Sequence, residues 1–290
     1  ALLVVGLLTL GAVAVVALRA DQGGALTAPD WRALSFTLRQ AALSALLSVA
    51  FAVALARALA RRRFPGRDLL TTLLGAPFLL PVIVAILGVT AVWGRSGWAS
   101  DALAAAGLPR LDIYGMPGVL IAHVFFNLPL AARLMLQALA DIPAERWRVA
   151  AQLGLDGRAL FRVVEWPALR AVLLGALAMI FAVCATSFAV ALALGGGPRA
   201  TTLELAIYEA AAYEFDLARA ARLAALQFAV CAAAALAALA ASAPLAAGWG
   251  VARRVERWHG RSAAARATDA AALTLAAVFL FAPLIAVALR

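Results

Sequence analysis

The sequence predicts an all-α fold, a polytopic transmembrane helical bundle with kinked helices. Three observations carry that prediction. Of the 290 residues, 66% are hydrophobic and only 14% charged, against about 25% charged in soluble domains. The apolar residues gather into runs of about 20, the length a helix needs to cross the hydrocarbon core. The basic residues gather between those runs. Such a composition excludes a water-soluble enzyme built on one core. It also excludes a disordered chain, which goes with low hydrophobicity. The net charge of +10 belongs to membrane orientation and not to nucleic acid, because the arginines lie in loops between apolar segments. Cys184 and Cys231 both sit inside apolar runs, so no disulfide framework is expected.

Seven runs qualify as spans: 1–18, 35–59, 69–94, 117–140, 171–194, 223–247 and 270–289. Hydrocarbon offers backbone groups no hydrogen bonds, so each run must satisfy its own and is read as a helix. Pro77 and Pro81 interrupt the third run and Pro129 the fourth, where a packed bundle tolerates a kink. The first run begins at Ala1 without a basic leader segment, and the start of the chain looks cut off. Span 270–289 stops with the chain, after a basic linker. Residues 1–247 therefore read as one six-helix half, 248–269 as a cytoplasmic linker, and 270–290 as the first helix of a second half. A complete seven-helix protein is the alternative.

The loops set the orientation. Segments 60–68, 141–170 and 248–268 hold 14 arginines and 6 acids, whereas 19–34, 95–116 and 195–222 hold 7 arginines and 8 acids. By the positive-inside rule the first set faces the cytoplasm, with Arg61, Arg62 and Arg63 its clearest marker. The N-terminus is then cytoplasmic.

Loop 141–170 is too long to be a mere connector. Pro143 can open a helix, and Ala144, Trp147, Ala150, Ala151, Leu153 and Leu155 give it an apolar stripe. Gly154 or Gly157 can end it. A second short helix, about 158–165, would stop before Pro167. The resulting helix–turn–helix would lie on the cytoplasmic face. It either receives a partner on its small residues or anchors in the interface through Trp147 and Trp166, with arginines on headgroups.

Those residues carry a resemblance. Ala150-Ala151-Gln152-Leu153-Gly154, followed by Val164-Glu165-Trp166-Pro167, resembles the EAA loop of bacterial ABC importer permeases, E-A-A-x3-G-x9-I-x-L-P. Aligned on Gly154, the family's glutamate falls on Arg148, a departure that removes any salt bridge from that position but leaves the turn intact. The segments 61–70, 122–139, 161–170 and 194–210 extend the likeness to the thiamine and thiamine pyrophosphate importer permeases, long chains of two homologous halves.

The resemblance implies a type I importer half in the bacterial inner membrane. It would be a transport subunit, not an enzyme, and would bind no cofactor. A separate ATP-binding subunit dimer would use ATP and magnesium and receive the loop at Arg148, Ala150, Ala151, Gly154, Leu155 and Asp156. A periplasmic binding protein and the second permease half complete the implied partners, with membrane lipid around them. Permeases for ferric iron, sulfate or polyamines share this architecture and remain the alternative. A secondary transporter driven by an ion gradient is the rival outside the class. It calls for paired ionisable groups at the midplane, and no acid lies well inside any predicted span.

Within the spans, His123 and Asn127 stand four apart on one helical face, and Asn127-Leu128-Pro129 marks a helix break. They read either as lining a translocation path or as interhelical hydrogen bonds. Ser187 and Phe188, with Thr186, are path candidates on the same grounds, and an aromatic ring can stack on a cationic heteroaromatic ligand. Arg39 and Arg57 are expected to snorkel to the interface, and Arg133 to pair structurally. Ser44 and Ser48 have no histidine near them in sequence, so packing accounts for both. Neither His123 nor His259 has a metal-ligand companion at usable spacing. Thr201-x-x-Glu204 reads as a capping box opening an outer helix over 202–214. Its neighbours Glu209, Glu214 and Asp216 either meet a partner or are solvated.

Overall fold

The structure, a computed structural model, describes residues 11, 25–75, 77, 80–195, 197, 200–241 and 262–289. The predicted span 1–18, His259 and most of the linker 248–269 lie outside the described residues. Among those described, every regular element is a helix, and six helices are long and apolar enough to cross a membrane.

Helix α1, Ala28–Arg61, starts seven residues earlier than the apolar run suggests. The cause is a cap: the Thr27 backbone N–H donates to Asp30 Oδ2 at 2.8 Å, and Pro29 occupies the first turn. At 34 residues α1 is about 51 Å long. It overreaches the hydrocarbon at its ends.

The predicted span 69–94 is not one helix. A short α2 (Arg67–Leu73) is followed, past Pro77 and Pro81, by α3 (Val82–Trp93). Pro81 lacks an N–H and pushes Leu80 out of helical geometry, so the chain restarts there. Helix α4, Trp98–Ala105, extends the same apolar stretch after a turn. Helix α5, Met116–Ala140, runs unbroken through Pro129, against the expected break.

The break falls elsewhere. Helix α7, Gly157–Ala185, ends at Thr186 in the middle of predicted span 171–194, and α8 (Phe188–Leu194) resumes after Ser187. Helix α9 covers Leu203–Ala212 with Thr202 as its N-cap, one residue past the predicted Thr201 and two short of the predicted end. Helix α10 covers Leu217–Ala241, and α11, Ala263–Ala288, begins inside the residues read as linker.

The core is the seam where α1, α5 and α7 pack together. On α1, buried residues recur three or four apart at Ala41, Ala45, Val49, Ala52, Leu55, Ala56 and Leu59. Opposite them on α5 lie Ala131 and Ala132, both without exposed surface. Small side chains let helices approach closely, which is how packing holds a bundle where no hydrophobic drive separates helix from lipid. Gly88 repeats the device where α3 meets α11: a Cβ there would stand 2.5 Å from the Pro283 carbonyl. Leu46, Phe51, Leu87, Val183, Leu236 and Leu275 point outward and are half or more exposed. That apolar belt is the surface a bilayer covers, and the chain is a multi-pass membrane protein.

Candidate functional site

Helix α6, Ala144–Gln152, is the amphipathic loop helix expected after Pro143. Its inner face is Ala144, Trp147 and Ala150, all buried in or beside the core. Trp147 is 4% exposed, so it packs the helix to the bundle and does not anchor in the interface. Gly154 closes the helix at φ +62°. Gly154 N–H donates to Ala151 O at 3.0 Å and Leu155 N–H to Ala150 O at 2.9 Å, the paired bonds of a Schellman turn. Leu155 turns back onto the core with Ala150. Of the six residues the sequence marks for partner contact, Arg148, Ala151, Gly154 and Asp156 are exposed, Leu155 is partly buried and Ala150 is buried.

The outer face adds two residues that sequence reasoning missed as contacts. Val149 and Leu153 are four apart and 53% and 68% exposed. The outward direction of Leu153 was hidden because it counts toward the apolar stripe, and Val149 carries no signal beyond being apolar. Together with Ala151 and Gln152 they form a mostly uncharged ridge, flanked by Arg148 and Asp156.

The second helix of the loop does not stop before Pro167. It continues into α7 through a π-turn over Phe161–Glu165. The wider turn absorbs an extra residue just ahead of Pro167, which occupies the first positions of the α-helical part, where its missing N–H costs least. Arg57 does not snorkel: it meets Glu165 at 2.7 Å. Arg133 reaches the Thr72 carbonyl at 3.2 Å, at the C-terminal end of α2, and so is structural as expected.

The midspan break exposes the last four carbonyls of α7, and each finds a donor. Thr186 donates from N to Ala182 O at 3.1 Å and from Oγ1 to Ala182 O and Val183 O. Gln40 of α1 donates to Cys184 O at 2.8 Å, and Gln227 of α10 donates to Ala185 O at 2.8 Å. Neighbouring helices therefore complete the cap. Neither glutamine carries a sequence signal beyond being polar within an apolar run.

Beside the break, Asn127 donates to His123 O at 2.8 Å and to Cys184 Sγ at 3.3 Å. Ser44 Oγ and His123 Nδ1 share a hydrogen bond of 3.1 Å, so a histidine does stand beside Ser44, supplied by another helix. His123 and Asn127 are 3% and 2% exposed, inside the α1–α5–α7 seam. Ser187 and Phe188 are partly exposed at the break itself. Phe188 packs edge-on against Tyr208, ring centres 5.1 Å apart, and Tyr208 against Tyr213 at 5.6 Å. Tyr208 shares a face of α9 with Glu204, whose carboxyl is pushed up by burial. Glu214 and Asp216 are held by Arg219, which also pairs with Asp30 at 2.8 Å. Among the described residues no group of histidines, cysteines and acids is placed to hold a metal ion.

A helical membrane bundle, a helix–Schellman turn–helix projecting from one end and a broken helix in the middle make up the architecture. In sequence the chain is similar to curated transport permeases, and in fold to solved ABC transporters. The "Thiamine transport system permease protein ThiP" of Escherichia coli is 49% identical over 202 residues, which are 69% of this chain and 38% of that protein. The protein of the same name from Salmonella typhimurium is 44% identical over 262 residues, 89% of this chain and 48% of that one. The chain thus spans less than half the length of the curated relatives it matches. Its fold is similar to the bacterial alginate ABC transporter crystallised with an alginate pentasaccharide-bound periplasmic protein, at TM-score 0.62 and 17% identity over 74% of this chain and 77% of that one. No protein-family model matches the chain.

Proposed function

We propose that this chain is the first half of a fused inner-membrane permease that imports thiamine and its phosphates, driven by a separate ATPase dimer. Kinship to thiamine transport permeases at 44–49% identity carries the substrate. Residues 1–247 form that half and 270–290 open the second.

The loop docks on the ATPase subunit through Arg148, Val149, Ala151, Gln152, Leu153 and Asp156. Ala150 and Leu155 hold the helix from beneath, and Gly154 sets the turn. Translocation requires the ATP-bound partner to favour one permease conformation over the other, since only differential affinity shifts an equilibrium.

A periplasmic binding protein delivers substrate to the opposite side. That sidedness is supported by two charge pairings: Arg57–Glu165 marks one end of the bundle and Asp30–Arg219 the other. The arginine-rich loops 60–68 and 141–170 lie with the first, which supports a cytoplasmic reading of that end, and with run 1–18 read as a span the N-terminus is then cytoplasmic as well. Substrate passes the break at Ser187 and Phe188. There the Phe188–Tyr208–Tyr213 stack offers ring faces to a cationic heteroaromatic ligand. His123 and Asn127, packed in the seam, position the break and do not line the path.

Co-purification and uptake test this reading. The full-length permease retains its ATPase subunit and supports thiamine uptake in proteoliposomes. Loss of the subunit from wild-type protein, or transport of ferric iron, sulfate or polyamine in place of thiamine, defeats it. Impermeant maleimide should label Arg148→Cys only in inverted vesicles and Tyr213→Cys only in intact spheroplasts.

A further inference from the structure

Three elements meet in a buried charge cluster that the docking face does not include. Glu165, the residue between Val164 and Trp166 in the motif, has no exposed surface. Arg57 donates from Nε to Glu165 Oε2 at 2.7 Å, and Arg61 lies 3.7 Å from the same oxygen. Arg61 also reaches Asp269 of α11 at 3.4 Å, and Arg62 reaches it at 2.7 Å. The Arg57 guanidinium covers the Phe161 ring at 4.2 Å, and that ring packs on Trp166. The last turn of α1, the π-turn at the head of α7 and the first turns of α11 are thus joined by five charged side chains.

Stability alone is a poor reason for such a cluster, because apolar residues of equal volume often serve as well. What buried charge does impose is a single placement: a dry carboxylate must stay within reach of its cations. Glu165 belongs to the π-turn, and π-turns recur at functional sites. It lies on the only covalent route from the loop helix into α7. A displacement of α6 therefore reaches Glu165 before it enters the membrane, and Glu165 cannot move without Arg57 and Arg61.

We propose that Glu165 is a positioning residue for transport: it converts displacement of the loop into joint movement of α1 and, through Arg61 and Asp269, of α11. The inference rests on the loop's reading as the ATPase dock. Because α11 opens the second half in that reading, the cluster also ties the two halves at the cytoplasmic edge.

The test uses the full-length permease reconstituted with its ATPase subunit and binding protein. Wild type must first retain the ATPase subunit; if it does not, the docking reading itself fails. Glu165→Gln is expected to retain the subunit and its basal hydrolysis. Stimulation of hydrolysis by loaded binding protein should fall about tenfold, within the range of ordinary coupling free energies, and uptake should fall with it. Glu165→Asp, which keeps the charge, should recover most of both. Stimulation and uptake by Glu165→Gln within about twofold of wild type would overturn the inference while leaving the dock intact. Loss of the ATPase subunit from both variants would overturn it too, by making Glu165 a determinant of loop folding.

Discussion

The broken end of α7 and its opposite head face the same problem, polar groups withdrawn from water, and solve it with different chemistry. At the break, neutral donors suffice: one threonine and the amides of Gln40 and Gln227 reach the free carbonyls. At the head, three arginines and two carboxylates are interlocked. The difference follows depth. A charge is costly at the centre of a bilayer, whereas near the edge paired charges stay partly hydrated: the Arg57 and Arg62 side chains are about a quarter exposed while bound to their acids. Neutral caps make the break a fixed seam. Charged joints make the head a place where one displacement moves three helices.

The largest expected effect comes from opening the charged joint. Arg61→Met leaves Glu165 and Asp269 short of a shared cation, and breaking a buried pair costs about 3–5 kcal/mol. Thermal unfolding in detergent should show a loss of that order. A variant as stable as wild type would mean that the remaining arginines fully cover both acids.

Exchanging the chemistry sharpens the contrast. Gln40→Glu puts an acid at the midspan cap, where it cannot donate to Cys184 O unless protonated. The expected loss is about 3 kcal/mol, near the scale for an acid at a helix centre. Gln40→Leu leaves that carbonyl unsatisfied and should cost about 1–2 kcal/mol. Equal losses in the two variants would remove depth as the explanation.

Gly154→Ala is milder. The left-handed turn holds φ at +62°, and a Cβ there has open space around it, so the cost is backbone strain alone, about 1–2 kcal/mol. Under the proposed docking, most of it should register as weaker retention of an ATPase subunit in pull-downs, with the bundle's melting nearly unchanged.

The smallest effect is one of pH. Burial raises the Glu204 carboxyl above its ordinary 4.5, so the folded chain binds a proton that the unfolded chain releases. Stability then falls as pH rises from 4.5 through the raised value. Glu204→Gln should flatten that decline in a melting-against-pH series, and an unaltered slope would exclude Glu204 as its source.

Much of the bundle was legible because its cause is local. A run such as 117–140 is apolar at every turn, and no other neighbour is needed to make it a helix in lipid. The turn at Gly154 was legible for the same reason, since φ > 0 after an amphipathic helix is what a glycine there supplies. The α7 break was not, because Asn127-Leu128-Pro129 carries the conspicuous signal and Thr186-Ser187 does not. Proline inside α5 is tolerated by its neighbours, while α7 can stop at Ala185 because Gln40 and Gln227 arrive from 144 and 42 residues away to take its carbonyls.

By itself, then, the sequence determined that most of its apolar runs become membrane-length helices, which loops carry the positive charge and that a glycine closes the loop helix, since hydropathy, arginine placement and backbone conformation are properties of short stretches. Tertiary structure alone decided that Ser44 meets His123, that Arg57 closes on Glu165 and that Ala150 faces inward while Leu153 faces out. Those outcomes depend on which helix lies alongside, and a side chain's partner across a bundle is set by packing between segments that the chain order keeps far apart.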